Sequence, residues 1–92
     1  MYYLLLYDVV ENFVERRAPL RDAHLKLVRE AHERGELCLA GALGDPVDGA
    51  ALVFTTEGPS VAERFARNDP YVAGGLVKSW KVSKWNVVVG GK

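Results

Sequence analysis

The chain has 92 residues, 49% hydrophobic and 26% charged, the profile of one globular domain spanning residues 1–92. That excludes a disordered tail, a collagen-like repeat and a disulfide scaffold; with Cys38 the only cysteine, a reducing cytoplasm is the expected location. Twelve Lys+Arg balance twelve Asp+Glu, so the basic excess that phosphate binding draws on is missing and nucleic acid is not an expected partner.

The longest apolar run, Met1 to Tyr7, falls far short of the roughly 20 residues of a membrane span. It lacks a basic flank and a cleavage site, so neither a membrane segment nor a signal peptide is expected. The stretch from Tyr2 to Val9 reads instead as a strand, apolar on both faces. A charged connector or short helical piece covers 10–16, and Pro19 marks a break or a helix start.

Spacing predicts a helix over 18–34, with Leu20, Ala23, Leu27, Val28 and Ala31 at three- and four-residue intervals and Gly35 as its C-cap. A second strand is expected over 36–43, with Cys38 as a small buried hydrophobe of no special reactivity. A Gly- and Asp-rich turn follows over 44–49, then a third strand over 50–56. A second helix opens at 58–60, with Ser60 or Thr56 as its cap, and ends at 68–71. The last strand is expected over 77–89.

The order is βαββαβ, an α+β chain of ferredoxin-like topology. It implies a four-stranded antiparallel sheet with two helices on one face, joined by right-handed crossovers. The helices cover one sheet face only, yet strands 1, 3 and 4 carry apolar residues at both parities. A homodimer made by packing sheet on sheet is therefore expected, with the C-terminal tail or the loops as the rival cover.

Topology alone gathers Tyr7, Asp8, Arg17, Arg21, His24, Asp69 and Tyr71 at one edge of the sheet. His24 lies within the apolar stripe of the first helix, so its imidazole needs a hydrogen-bond partner. Read blandly it is a satisfied structural histidine; read functionally it is an acid or base. Asp69 before Pro70 reads as an N-cap with proline at N1, and one carboxylate oxygen can cap while the other faces His24. A carboxylate in that place would fix the tautomer of the imidazole. Tyr7 and Tyr71 are core aromatics or pocket donors, and Arg21 is a surface ion-pair partner or an anion binder. His32 reads as a surface residue, about 12 Å along the helix from His24. No zinc spacing and no phosphate-loop, Walker A or nucleophile-elbow motif occurs, so no metal and no cofactor are expected.

Arg21-Asp22-Ala23-His24-Leu25, then Gly35-Glu36-Leu37 with Ala40-Gly41, then Asn68-Asp69-Pro70-Tyr71-Val72-Ala73-Gly74 and an aromatic-ending last strand resemble the YCII-related family. The resemblance runs from Tyr2 to about Val88. It implies a dimeric α+β barrel, a fold shared with muconolactone-isomerase-like proteins and cofactor-free monooxygenases. It also implies that His24 and Asp69 are the catalytic pair. At least one relative is a dehydrochlorinase of a chlorinated hydroxyquinol, with that pair transferring protons. The turn between strands 2 and 3 is short here, where some members carry a longer loop.

Two functions follow as expectations. One is a cofactor-independent lyase, isomerase or dehydrochlorinase-like enzyme using His24 and Asp69, with Tyr7, Arg21 and Tyr71 holding a small substrate. The other is a non-catalytic dimeric module that binds a small molecule.

Overall fold

The computed structural model describes residues 1–91. Strand β1 (Tyr2–Val9) alternates strictly: Tyr3, Leu5, Tyr7 and Val9 are buried, whereas Tyr2, Leu4 and Leu6 are only partly covered. A short helix α1 (Phe13–Arg16) begins after Asn12, whose φ of 59° an asparagine tolerates. A 3₁₀ turn over Ala18–Leu20 carries Pro19 at its start and leads into α2 (Arg21–Glu33). Helix α2 closes in a Schellman motif, in which Gly35 N–H donates to His32 O and Glu36 N–H donates to Ala31 O. The φ of +79° at Gly35 suits the residue placed there.

Strands β2 (Leu37–Leu43) and β3 (Gly49–Thr55) form a hairpin. Helix α3 (Ser60–Asn68), the single turn α4 (Pro70–Ala73) and strand β4 (Val77–Trp85) complete the chain. The sheet order is β2-β3-β1-β4 with every neighbouring pair antiparallel, the ferredoxin-like arrangement that the element order implied. The odd-numbered face of β1 meets Phe54 and Leu52 of β3, Ala31 of α2, and Ala62, Phe65 and Ala66 of α3 in one core. Burial of these side chains, at about 25 cal/mol per Å² of apolar surface, drives the folding of both helices onto that side.

Four local expectations need correction. Strand β4 stops at Trp85 rather than continuing to Val89, because Trp85 already pairs with Tyr2, the first residue of β1, and no partner lies beyond it. Neither Ser60 nor Thr56 caps α3: Pro59 is the N-cap and no side chain caps the helix, while Thr56 Oγ1 donates to Gly58 O. Cys38 is exposed, not buried, because the β2–β3 register shifts between Leu37 and Leu39 at the sheet edge, so Cys38 takes no place on the core face. Ala23 is exposed as well, since the sheet-facing stripe is carried by Leu20 at the end of the 3₁₀ turn and by His24, Leu27, Val28 and Ala31 of α2.

Candidate active site

Helical phase sets His24 on the sheet-facing side of α2, with its side chain 14% exposed. Its partner comes from the other half of the chain. Asp69 stands in extended conformation between α3 and α4, with Pro70 at N1 of the second. Asp69 Oδ1 accepts the Tyr71 backbone N–H at 3.0 Å, the N-cap bond, and lies 2.8 Å from His24 Nδ1. Cap and dyad thus use the same oxygen rather than one each. The other oxygen, Oδ2, accepts the hydroxyl of Tyr7 at 2.8 Å.

The position of α4 depends on a close approach. A Cβ on Gly74 would lie 2.6 Å from Leu20 Cδ1 and 2.9 Å from Pro70 O, so only glycine fits where this turn meets the entrance to α2. That contact brings Tyr71 against the first turn of α2. The Tyr71 and His24 rings stack at 3.9 Å with 12° between their planes. Phe13 and Tyr71 meet edge-to-face, with ring centres 5.3 Å apart, and Arg17 Cζ sits 5.4 Å from the centre of the Phe13 ring.

Asp69 is fully buried. An unpaired carboxylate there would cost several kcal/mol, and three donors directed at its two oxygens offset that cost. An ionised carboxylate only accepts. Facing an ionised carboxylate, His24 Nδ1 is the donor of this contact, and in a neutral imidazole the lone pair is then on Nε2. Burial pushes the Tyr7 phenol far above its ordinary value, and the neighbouring charge of Asp69 and the hydrogen bond to it act in the same direction. Burial raises the Tyr71 phenol too, opposed by the guanidinium groups of Arg21 and Arg17. The Tyr71 hydroxyl is buried and makes no hydrogen bond of good geometry; the Arg21 guanidinium approaches it as a donor and opposes the rise in its pKa.

A cavity of about 240 Å³ opens beside His24, between α2 and the β2–β3 hairpin. It exists because the wall facing α2 is built from small residues, Ala40, Gly41, Ala42 and Ala50. Leu25, Val28, Leu52, Phe13 and the Tyr7 ring make the remainder apolar, and Arg17 and Arg21 supply charge. Of the residues singled out from the sequence, Tyr7, Arg21, His24 and Tyr71 line this cavity and Asp69 stands behind them. Tyr7 contributes its ring only, since its hydroxyl is engaged by Asp69. Asp8 points away from the site, on the opposite face of β1, and lies 3.8 Å from Lys78 Nζ. His32 is exposed, with Nδ1 2.8 Å from Leu37 O.

Sequence reasoning missed Phe13 and the alanine wall. The available signals were a lone aromatic in a charged connector and the run Ala40-Gly41-Ala42 in a strand. Among the described residues no three His, Cys, Asp or Glu side chains cluster as metal ligands would, and no helix is long and apolar enough to cross a membrane.

Residues 1–86 match the YCII-related domain. Two curated relatives, each called Protein YciI, come from Escherichia coli O6:H1 and Shigella flexneri. Both are 28% identical over 97 residues, covering 96% of this chain and 99% of theirs. Among solved structures, 5-chloro-2-hydroxyhydroquinone dehydrochlorinase (TftG) from Burkholderia phenoliruptrix, in complex with 2,5-dihydroxybenzoquinone, is similar with TM-score 0.76, at 20% identity over 94% of each chain. At that identity the likeness is one of fold. The match over nearly the whole chain, together with the βαββαβ sheet described above, makes this protein a member of the YCII-related domain family.

Proposed function

We propose that the protein is a small enzyme that transfers a proton on a small organic substrate without a cofactor, with His24 as base and acid and Asp69 as its positioning partner. The observation that carries this reading is the His24 Nδ1–Asp69 Oδ1 contact at the wall of a cavity. It leaves Nε2 as the basic nitrogen. Asp69 fixes the tautomer and favours the imidazolium that forms when Nε2 takes a proton. Positioned proton transfer is worth roughly 10²–10⁴ in rate, which suits an activated substrate with an acidic proton. Elimination of a leaving group such as chloride, the class of reaction named for the dehydrochlorinase of similar fold, belongs to this chemistry. Tyr7, Arg21 and Tyr71 line the space where the substrate sits.

The rival reading is a braced fold beside a passive ligand pocket. It is favoured by the Tyr7 hydroxyl bond, which satisfies Asp69 whether or not His24 reacts. The two readings separate in one experiment. Small hydroxylated aromatics and carboxylic acids, 5-chloro-2-hydroxyhydroquinone among them, are incubated in deuterated buffer and followed by proton NMR for exchange or elimination. Turnover by the wild type that falls roughly 10²–10⁴-fold in a folded His24→Ala variant supports the enzyme; an equal rate in that variant refutes it.

We also infer that residues 1–92 act as one domain whose open sheet face is covered by a second copy of the chain. Leu39 at 68% and Trp85 at 47% exposure stand on that face beside the half-covered Leu4 and Leu6. The rival cover is the tail. Gly91 does approach the Tyr2 hydroxyl, but Val88 and Val89 are themselves in solvent, so the tail leaves most of the face open.

A further inference from the structure

We propose that Arg17, Arg21 and the Tyr71 hydroxyl form an oxyanion subsite that holds the carboxylate of a small organic acid within the cavity beside His24. The proposal rests on the reading of this cavity as the ligand site and adds the class of ligand. Three observations converge on it.

The first is charge. Arg17 and Arg21 both line the cavity, and no carboxylate is among its lining residues. The ion pairs among the described residues join His24 to Asp69, Arg34 to Glu36 and Lys78 to Asp8. Neither cavity arginine is neutralised by an acidic side chain, in a chain whose formal charges balance overall.

The second is an unsatisfied donor. Tyr71 is 3% exposed and lines the cavity; its hydroxyl makes no bond of good geometry, and the Arg21 guanidinium is the hydrogen-bonding group that approaches it. A buried hydroxyl without a well-formed hydrogen bond is destabilising. An oxyanion between the phenol and the guanidinium groups would relieve that cost and neutralise both cations. Both arginines lie close enough to Tyr71 to oppose the rise in its pKa.

The third is rigidity. Arg17 rests on the Phe13 ring, Phe13 on Tyr71, and Tyr71 on His24. This stack fixes the guanidinium and the imidazole in one frame, so an acid anchored at one end presents its carbon skeleton toward the other. Planar guanidinium groups match a carboxylate through paired N–H bonds. The size agrees. The cavity of about 240 Å³ has room for a small organic acid.

The test is calorimetric titration of the protein with benzoate, its neutral isostere benzamide, and inorganic phosphate. Side-chain NMR of the arginine Nε–H signals is recorded alongside. Benzoate should bind roughly tenfold or more tightly than benzamide and shift the Arg17 and Arg21 signals. Arg17→Met and Arg21→Met, each of which keeps its aliphatic stem, should each weaken benzoate roughly tenfold and leave benzamide unchanged. Equal affinity for acid and amide overturns the proposal, as does unaltered benzoate binding in both variants. Still arginine signals at about 10 mM benzoate overturn it too. Phosphate binding more tightly than benzoate overturns the carboxylate assignment. Titration reads binding and no turnover, so the result stands apart from whether His24 moves a proton.

Discussion

The Tyr7 hydroxyl donates to Asp69 Oδ2 at 2.8 Å, joining the C-terminal part of β1 to the junction between α3 and α4, 62 residues away. That bond fixes the carboxylate from below while His24 takes its other oxygen. Tyr7→Phe keeps the ring and the cavity wall but leaves a buried carboxylate oxygen without its donor. Hydrogen bonds to charged groups are worth about 1.5–3 kcal/mol. Urea unfolding of this variant should show a loss in that range with an unchanged m-value. A loss below about 0.5 kcal/mol would mean that the bond contributes little to holding Asp69.

The same tyrosine makes stability depend on alkaline pH. Burial and Asp69 keep its folded-state pKa far above the ordinary 10.0. The unfolded chain sheds that proton near pH 10 while the folded chain retains it. Above this point the unfolded state binds fewer protons, so stability is full below about pH 10 and falls as pH rises, by about 1.4 kcal/mol per pH unit for each such group. Tyr71 is shifted in the same direction. Urea midpoints across about pH 9 to 11 should decline less steeply in Tyr7→Phe than in the wild type. Equal slopes would show that Tyr7 ionises freely in the native state.

Much of this arrangement was legible in the residues, and the illegible parts share a cause. His24 was visible because helical phase is a local property, and Asp69 because Asp-Pro is a local capping pattern. The role of the Tyr7 hydroxyl was not, since a strand shows which residues share a face but not which distant side chain meets each one. The cavity was hidden for the opposite reason. It comes from what Ala40, Ala42 and Ala50 lack, and a small side chain in a strand does not reveal whether a helix closes over it. Cys38 reads as a small buried hydrophobe from its residue type, and composition does not reveal the register shift beside it at the sheet edge.

Because the cavity is made by small residues, it can be filled without touching the dyad. Ala42 lines it from β2, an edge strand, opposite Ala50. Ala42→Leu adds apolar volume to a space that holds no side chain. Stability should change by less than about 1 kcal/mol, or rise, while small-acid binding is lost. Retained binding in a folded Ala42→Leu variant would place the ligand elsewhere.

The open sheet face predicts the oligomeric state. Leu39 and Trp85 stand exposed near opposite edges of that face, on β2 and β4. Sedimentation should give a mass of about twice 10.2 kDa. Leu39→Lys combined with Trp85→Lys should give monomers, since like charges would then oppose the buried patch. A wild-type monomer at micromolar concentration would overturn the stacked-sheet dimer.

Asp69→Asn separates the structural role of this residue from its chemical one. Asparagine can keep Oδ1 toward the Tyr71 N–H and His24 Nδ1, and turn its amide nitrogen toward Tyr7, whose hydroxyl can accept as well as donate. The cap and the packing can therefore survive. The negative charge that favours a proton on His24 Nδ1 and stabilises the imidazolium does not. Turnover should fall roughly 10²–10⁴-fold while the melting temperature stays close to wild type. In combination with His24→Ala the substitution should cost little more than His24→Ala alone, because residues that act as a unit are not additive. Were Asp69 only a brace for α4, the double variant would be no less stable than the sum of its parts predicts, and Asp69→Asn alone would leave the rate constant of the chemical step where it was.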